Sequence, residues 1–245
     1  MSRTVYNNPP INEAVLTIGF KKVDHILKES LVSVNDSFRE EFPVKKDIVS
    51  YEGDINIGKD IEPELTTNNK HINGYSFWNK EKTRLYQLTK DRFSYNMLKP
   101  YTNRNEFVNK AKVIWSEFDH VINPDQISSI SLRYINRVLI PLPIEDFKDY
   151  ISITPKVPEI LPDSLNSFFN QVQIPMNDDI LVTISTTIEP DRNDQLPYIL
   201  DIMVTKYGRP SLNKNEFWGD LVDMLDLKND IFENVITDKT RKLFD

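Results

Sequence analysis

Two arginines stand four residues apart in an otherwise apolar run, Ile130-Ser-Leu-Arg-Tyr-Ile-Asn-Arg-Val-Leu-Ile140. Read as a strand, the run carries Arg133 and Arg137 on one face and Asn136 on the other. A guanidinium on so apolar a strand must be paired or aimed at an anion, because an unpaired buried charge is very costly. Two acids occupy comparable settings: Glu13 in EAVLTIGF and Asp201 in YILDIMV, each inserted among apolar residues on the less apolar face. The four charges form either an ion-pair network that fixes strand register or an anion site, in which Arg133, Arg137 and Asn136 take a phosphate or carboxylate beside Glu13 and Asp201. An enzyme acting on nucleotides or nucleic acid would use the arginines to hold phosphate and Glu13 or Asp201 as base. Two arginines and two carboxylates without a nucleophile or a metal define no reaction, so the reading leans away from catalysis.

Other chemistry is sparse. The chain has no GxxxxGK[ST], no GxGxxG after a strand, no HExxH and no GxSxG, which removes the usual nucleotide, dinucleotide, zinc-protease and hydrolase motifs. His25, His71 and His120 fall on different elements with no second ligand at metal spacing, and no cysteine is present to supply a thiolate. No cofactor is implied. Near the C-terminus Glu216, Asp220, Asp223, Asp226, Asp230 and Glu233 recur at spacings of three and four, an acidic stripe along a helix. That stripe is either a solvated face or a docking surface for a basic partner, with Asp220, Asp223 and Asp230 the residues that would meet it.

The elements that must position these groups follow from periodicity. Glu13 to Phe20 alternates as a strand covered on one side, with Ala14, Leu16, Ile18 and Phe20 inward. Leu27, Leu31, Val34, Phe38 and Phe42 recur as one helix face that Pro43 ends. Short β-rich runs follow between Asp47 and Tyr95, separated at Gly53-Asp54 and Asn73-Gly74. A second helix carries Phe107, Ala111, Ile114, Phe118 and Val121 and stops before Asn123-Pro124. The plan then recurs: a strand from Ile127 to Ile140, a helical piece near Ile144 to Ile151, strands over Ile180–Ile188 and Tyr198–Tyr207, and a helix from about Asn215. Asn8-Pro9-Pro10 gives the first strand a fixed extended entry or a cis bond, and Thr237-Asp238 caps a last short helix. The fold class expected is α+β: two similar halves, 1–124 and 125–245, forming a curved, saddle-like, pseudo-twofold sheet with helices on one face. The halves are read as two domains or as one continuous domain.

Composition narrows the setting. With 39% hydrophobic residues and only 6 glycines the chain is a packed globular protein rather than a disordered one. A net charge of −7 opposes bulk nucleic-acid binding, which needs clustered cations. The absence of cysteine and of any apolar stretch long enough to span a bilayer predicts a cytoplasmic protein without membrane attachment.

Several segments together resemble a sporadically distributed family of uncharacterised bacterial proteins of about this length: NPPINEAVLTIGF, LYQLTKDRFSYNMLKPY, SLRYINRV, LDIMV and TDKTRKLF. Its marks are matched by Pro9, Pro10, Glu13 and Ala14 at the start and by Leu132, Arg133, Tyr134, Asn136 and Arg137 in the middle; Asp201 and Thr237-Asp238 fit as well. The resemblance brings no activity, cofactor or substrate. Its patchy distribution implies horizontally moved genes, hence a bacterial defence or toxin-antitoxin setting. The function expected is a non-catalytic partner or sensor that binds another protein or a small anionic ligand.

Overall fold

The alternation of the first apolar run is realised in full. Ile11–Phe20 forms strand β1, with Ala14, Leu16, Ile18 and Phe20 buried and Glu13, Val15, Thr17 and Gly19 half-buried on the opposite face. The structure is a computed structural model that describes residues 6–21, 28–58, 61–158, 160, 165–190, 194–214 and 216–245, and side chains within these except at 52–70 and 209–211. After β1 come helix α1 (Lys28–Ser33), strands β2 (Val44–Gly58), β3 (Ile61–Trp78), β4 (Arg84–Thr89) and β5 (Arg92–Leu98), and helix α2 (Arg104–Ile122). The remainder contains β6 (Ile127–Pro141), β7 (Phe169–Pro175), β8 (Ile180–Ile188), β9 (Gln195–Leu212), α3 (Phe217–Val235) and α4 (Asp238–Arg241).

All nine strands join one open antiparallel sheet in the order β2-β3-β4-β5-β1-β6-β9-β8-β7. The fold is therefore mixed α+β, with four helices among the described residues. The central pair is β1 and β6, in which Leu16 lies opposite Leu132 and Val15 opposite Arg133. One face of the sheet is the core. Phe93, Tyr95, Tyr86, Leu132, Tyr134, Leu200 and Ile202 are buried there against Phe107, Ile114 and Phe118 of α2 and Leu221, Met224 and Phe232 of α3.

Helix α2 follows its periodicity. Phe107, Ala111, Ile114 and Phe118 are buried, Asn103 caps the first turn by accepting from the Glu106 N–H at 2.9 Å, and Asn123 closes the last turn at φ 48°. Thr237 likewise caps α4.

Other expectations are corrected. Among the described residues the first helix is α over Lys28–Ser33 and continues as a 3-10 turn over Val34–Phe38; Leu27, like His25, lies outside the described residues. Asn73-Gly74 is not a turn: Gly74 sits within β3 opposite Thr89, and a Cβ there would lie 2.0 Å from the Leu88 carbonyl oxygen, so the glycine records a close strand approach. Gly53 also stays in strand, beside a register shift in the β2–β3 ladder. The turn that joins β3 to β4 is built instead on Asn79, whose Oδ1 accepts from the N–H groups of Thr83 and Arg84. The helical piece near Ile144–Ile151 is a 3-10 turn over Phe147–Asp149, capped by Asp146. The cis bonds fall at Lys99-Pro100 and Leu142-Pro143 and not at Pro9 or Pro10.

Candidate binding site

The second face of the sheet carries no described helix. Alternate residues of the described strands point there, and two adjacent rows across its middle are mostly polar. One row runs through Gln87, Ser94, Thr17, Ser131 and Thr205, tied by hydroxyl contacts of 3.0 Å between Thr17 and Ser94 and 2.9 Å between Ser131 and Thr205. The next row holds Asn96, Val15, Arg133, Met203 and Thr183. Asn96 Oδ1 and Thr183 Oγ1 are buried and take no hydrogen bond among the described residues.

The charges predicted to meet do so in part. Arg133 donates from Nε to both Asp201 carboxylate oxygens at 2.9 Å and from Nη2 to Oδ2 at 2.5 Å. Asp201 is only 13% exposed while Arg133 is 47% exposed, so the acid is the desolvated partner. The hydrogen bonds to Asp201 push the Arg133 guanidinium pKa up against the opposing effect of burial, with help from the charges of Asp201 and Glu13. Arg133 and Asp201 are thus committed to each other.

Glu13 makes no ion pair with either arginine. It lies diagonally from Arg133 across β1 and β6 and accepts from Asn96 Nδ2 at 2.6 Å. Arg137 pairs instead with Glu189, just beyond β8, its Nε 2.9 Å from Oε2. Asn136 points into the core, 2% exposed, where Nδ2 donates to the carbonyls of Leu200 at 3.0 Å and Tyr134 at 3.3 Å. It cannot join an anion site with the arginines, because adjacent strand residues face opposite ways. Glu189 gave no periodic signal: it follows the apolar run Ile180–Ile188 as an ordinary strand-end acid.

The acidic stripe on α3 is largely spoken for within the chain. Asp220 meets Lys206 at 2.5 Å, Asp226 meets Arg104 at 3.0 Å, and Glu233 accepts from Arg241 at 3.0 Å and from the Tyr6 hydroxyl at 2.8 Å. Asp223 and Asp230 remain exposed. A feature with no sequence signal is Lys228, buried beneath α3 with Nζ 4.0 Å from the Tyr134 ring centre.

Two concavities adjoin the sheet. The larger, about 740 Å³, brings Lys28, His71, Lys90 and Arg92 near Gln87 and Ser94, with Asp91 held by Thr89. The smaller, about 400 Å³, lies at the end of the sheet where β1 begins and is lined by Pro10, Lys99, Tyr101, Arg137, Leu139 and Phe244, among others. Among the described residues no group of three or more His, Asp or Glu side chains is placed to hold a metal ion, and no helix is long and apolar enough to cross a membrane.

No protein-family model matches the chain, and no curated protein matches it significantly.

Proposed function

We propose that this protein is a non-catalytic binding module, a partner or sensor protein whose polar sheet face, which carries no described helix, receives another protein. The observation that carries the reading is the one-sided placement of the helices: α2 and α3 bury one face of the sheet, and the other presents rows of hydroxyl and amide side chains across its central strands. With Arg133 already paired to Asp201, the two central described rows of that face hold no other cation, and they suit the mixed polar surface of a protein better than a phosphate backbone.

The strand order supports a finer view of the architecture. Outward from the pair β1 and β6, β1 is followed by β5, β4, β3 and the additional β2, and β6 by β9, β8 and β7, which favours two related halves, 1–124 and 125–245, in a saddle-like sheet. The family resemblance of Pro9-Pro10, Glu13-Ala14 and the Leu132–Arg137 strand adds the setting we favour, a bacterial defence or toxin-antitoxin module.

The test is native mass spectrometry of affinity-purified protein from its own host. One protein partner in stoichiometric amount is expected. Val15→Lys and Met203→Lys, long cations set in the middle of the open face, should each release that partner while changing stability by about 0.5 kcal/mol or less. Absence of any protein partner, or its retention by both variants, overturns the proposal.

A further inference from the structure

We propose that the 400 Å³ cavity at the start of β1 binds a small ligand with an oxyanion head, a carboxylate or phosphate, on an apolar body. This goes beyond the docking face and stands whether or not that face takes a partner. Five segments distant in sequence converge on the cavity: the Asn8-Pro9-Pro10 entry, the Lys99-Tyr101 turn, the Arg137-Leu139 stretch of β6, Gln195 at the start of β9 and the Leu243-Phe244 segment. Backbone hydrogen bonds fix them to one another, from Arg137 N to Pro10 O at 2.8 Å, from Lys99 N to Asn12 O at 2.9 Å and from Asn8 N to Phe244 O at 2.8 Å. The concavity is therefore built into the fold rather than left between loose chain ends.

Its chemistry selects the ligand. Pro10, Tyr101, Leu139 and Phe244 give apolar walls, and Arg137 and Lys99 supply two cations, while no Asp or Glu is among the described lining residues of a chain whose net charge is −7. Glu189 takes only Nε of Arg137. The two terminal nitrogens of that guanidinium have no hydrogen-bond partner among the described residues, although its side chain is only 29% exposed. A half-buried guanidinium anchored at Nε presents its terminal N–H groups in the fixed fork that matches a carboxylate or phosphate. Lys99, which pairs with no acid among the described residues, adds a second positive charge. Because the cavity is walled by both the N-terminal entry and the C-terminal tail, an occupant bridges the two ends of the chain.

The experiment is titration of the whole protein with phenylacetate and phenyl phosphate, each to about 10 mM, a range that covers fragment affinities. Calorimetry and ¹H–¹⁵N chemical shifts are the readouts, with acetate, inorganic phosphate and neutral phenylacetamide as controls. Saturable binding of phenylacetate or phenyl phosphate is expected, tenfold or more tighter than phenylacetamide, with shifts gathered at Asn8, Tyr101, Leu139 and Phe244; whichever head binds tighter assigns the anion. Arg137→Gln should weaken binding by about tenfold or more, the loss of a charge-assisted hydrogen bond. Lys99→Gln, an exposed change that leaves the fold intact, should weaken it by severalfold and covers the case in which the Arg137 variant fails to fold. Overturning results are no saturable binding of either probe, shifts that gather elsewhere, or unchanged affinity in Lys99→Gln together with a folded Arg137→Gln.

Discussion

Arg133 and Asp201 show how a charge is kept on an apolar strand. Removing the guanidinium would strand a carboxylate that is 13% exposed, and removing the carboxylate would leave a cation that water already reaches. Arg133→Ala is therefore expected to cost more than Asp201→Ala. Discounted for the half-exposed arginine, the loss is about 1 kcal/mol, with a coupling energy of about 0.5–1 kcal/mol in a double-mutant cycle read by urea unfolding. Coupling near zero would mean that the neighbouring ladder, not the ion pair, fixes register. At this scale the sequence was half legible. An arginine on an apolar strand announced that it needed an acid, and Asp201 sits on a strand whose own alternation marks it as facing the same way. The need of Arg137 was equally plain, but Glu189 lies at a strand end where acids are ordinary. Glu13, which sequence made an equal candidate, is one diagonal step away and satisfied by Asn96.

At the scale of elements, legibility followed how completely one face is buried. β1, β6 and α2 each bury a full stripe, and their periods were plain in the residues. β7 buries almost nothing: Phe169 is 70% exposed and Val172 and Ile174 are exposed as well, and the alternation in FNQVQIP spans only Gln171 to Ile174, too short a run for a strand to be foreseen there. Its edge position explains this, since an edge strand is held by the backbone ladder to β8 more than by its side chains. Gly74 misled in the other direction. Asn-Gly is a strong turn signal, but here the glycine lets β4 pass close by. Gly74→Ala should destabilise by about 1–3 kcal/mol in urea unfolding, because backbone must shift. Gly19→Ala, whose new methyl meets the Ser129 hydroxyl at 2.7 Å, should cost less, because a side chain can turn away. Equal losses would show that close strand approach is not what position 74 requires.

The molecule as a whole buries an unusual set of phenols. Tyr86, Tyr95, Tyr134 and Tyr198 lie in the core, burial driving each pKa above 10.0, and Tyr6 is pushed up to about 12 by burial and by the Glu233 carboxylate it donates to. Below pH 10 folded and unfolded phenols are both protonated and nothing is lost. Above it the unfolded chain sheds protons that the folded chain retains, so stability falls as pH rises from about 10 toward the folded values. Unfolding of a Tyr51→Phe, Tyr207→Phe variant, which removes the two exposed phenols, should between about pH 9 and 12 lose its urea midpoint steeply, with most of the phenolate absorbance appearing together with the loss of structure; most of that signal appearing well before unfolding would contradict this burial. The cavity where β1 begins had no signature in any one stretch, because it exists only once its five lining segments meet. The central position of β1 has a consequence for how the molecule is made. β1 precedes both of its neighbours in the chain and lies between β5 and β6, so one of its edges finds no mate until residues 127–141 have followed. A nascent chain that has released only β1 to β5 ends at the future middle of the sheet in a bare apolar edge, the kind that recruits strands from neighbouring chains. That edge stays unpaired for as long as α2, which separates β5 from β6 in the chain, is being made.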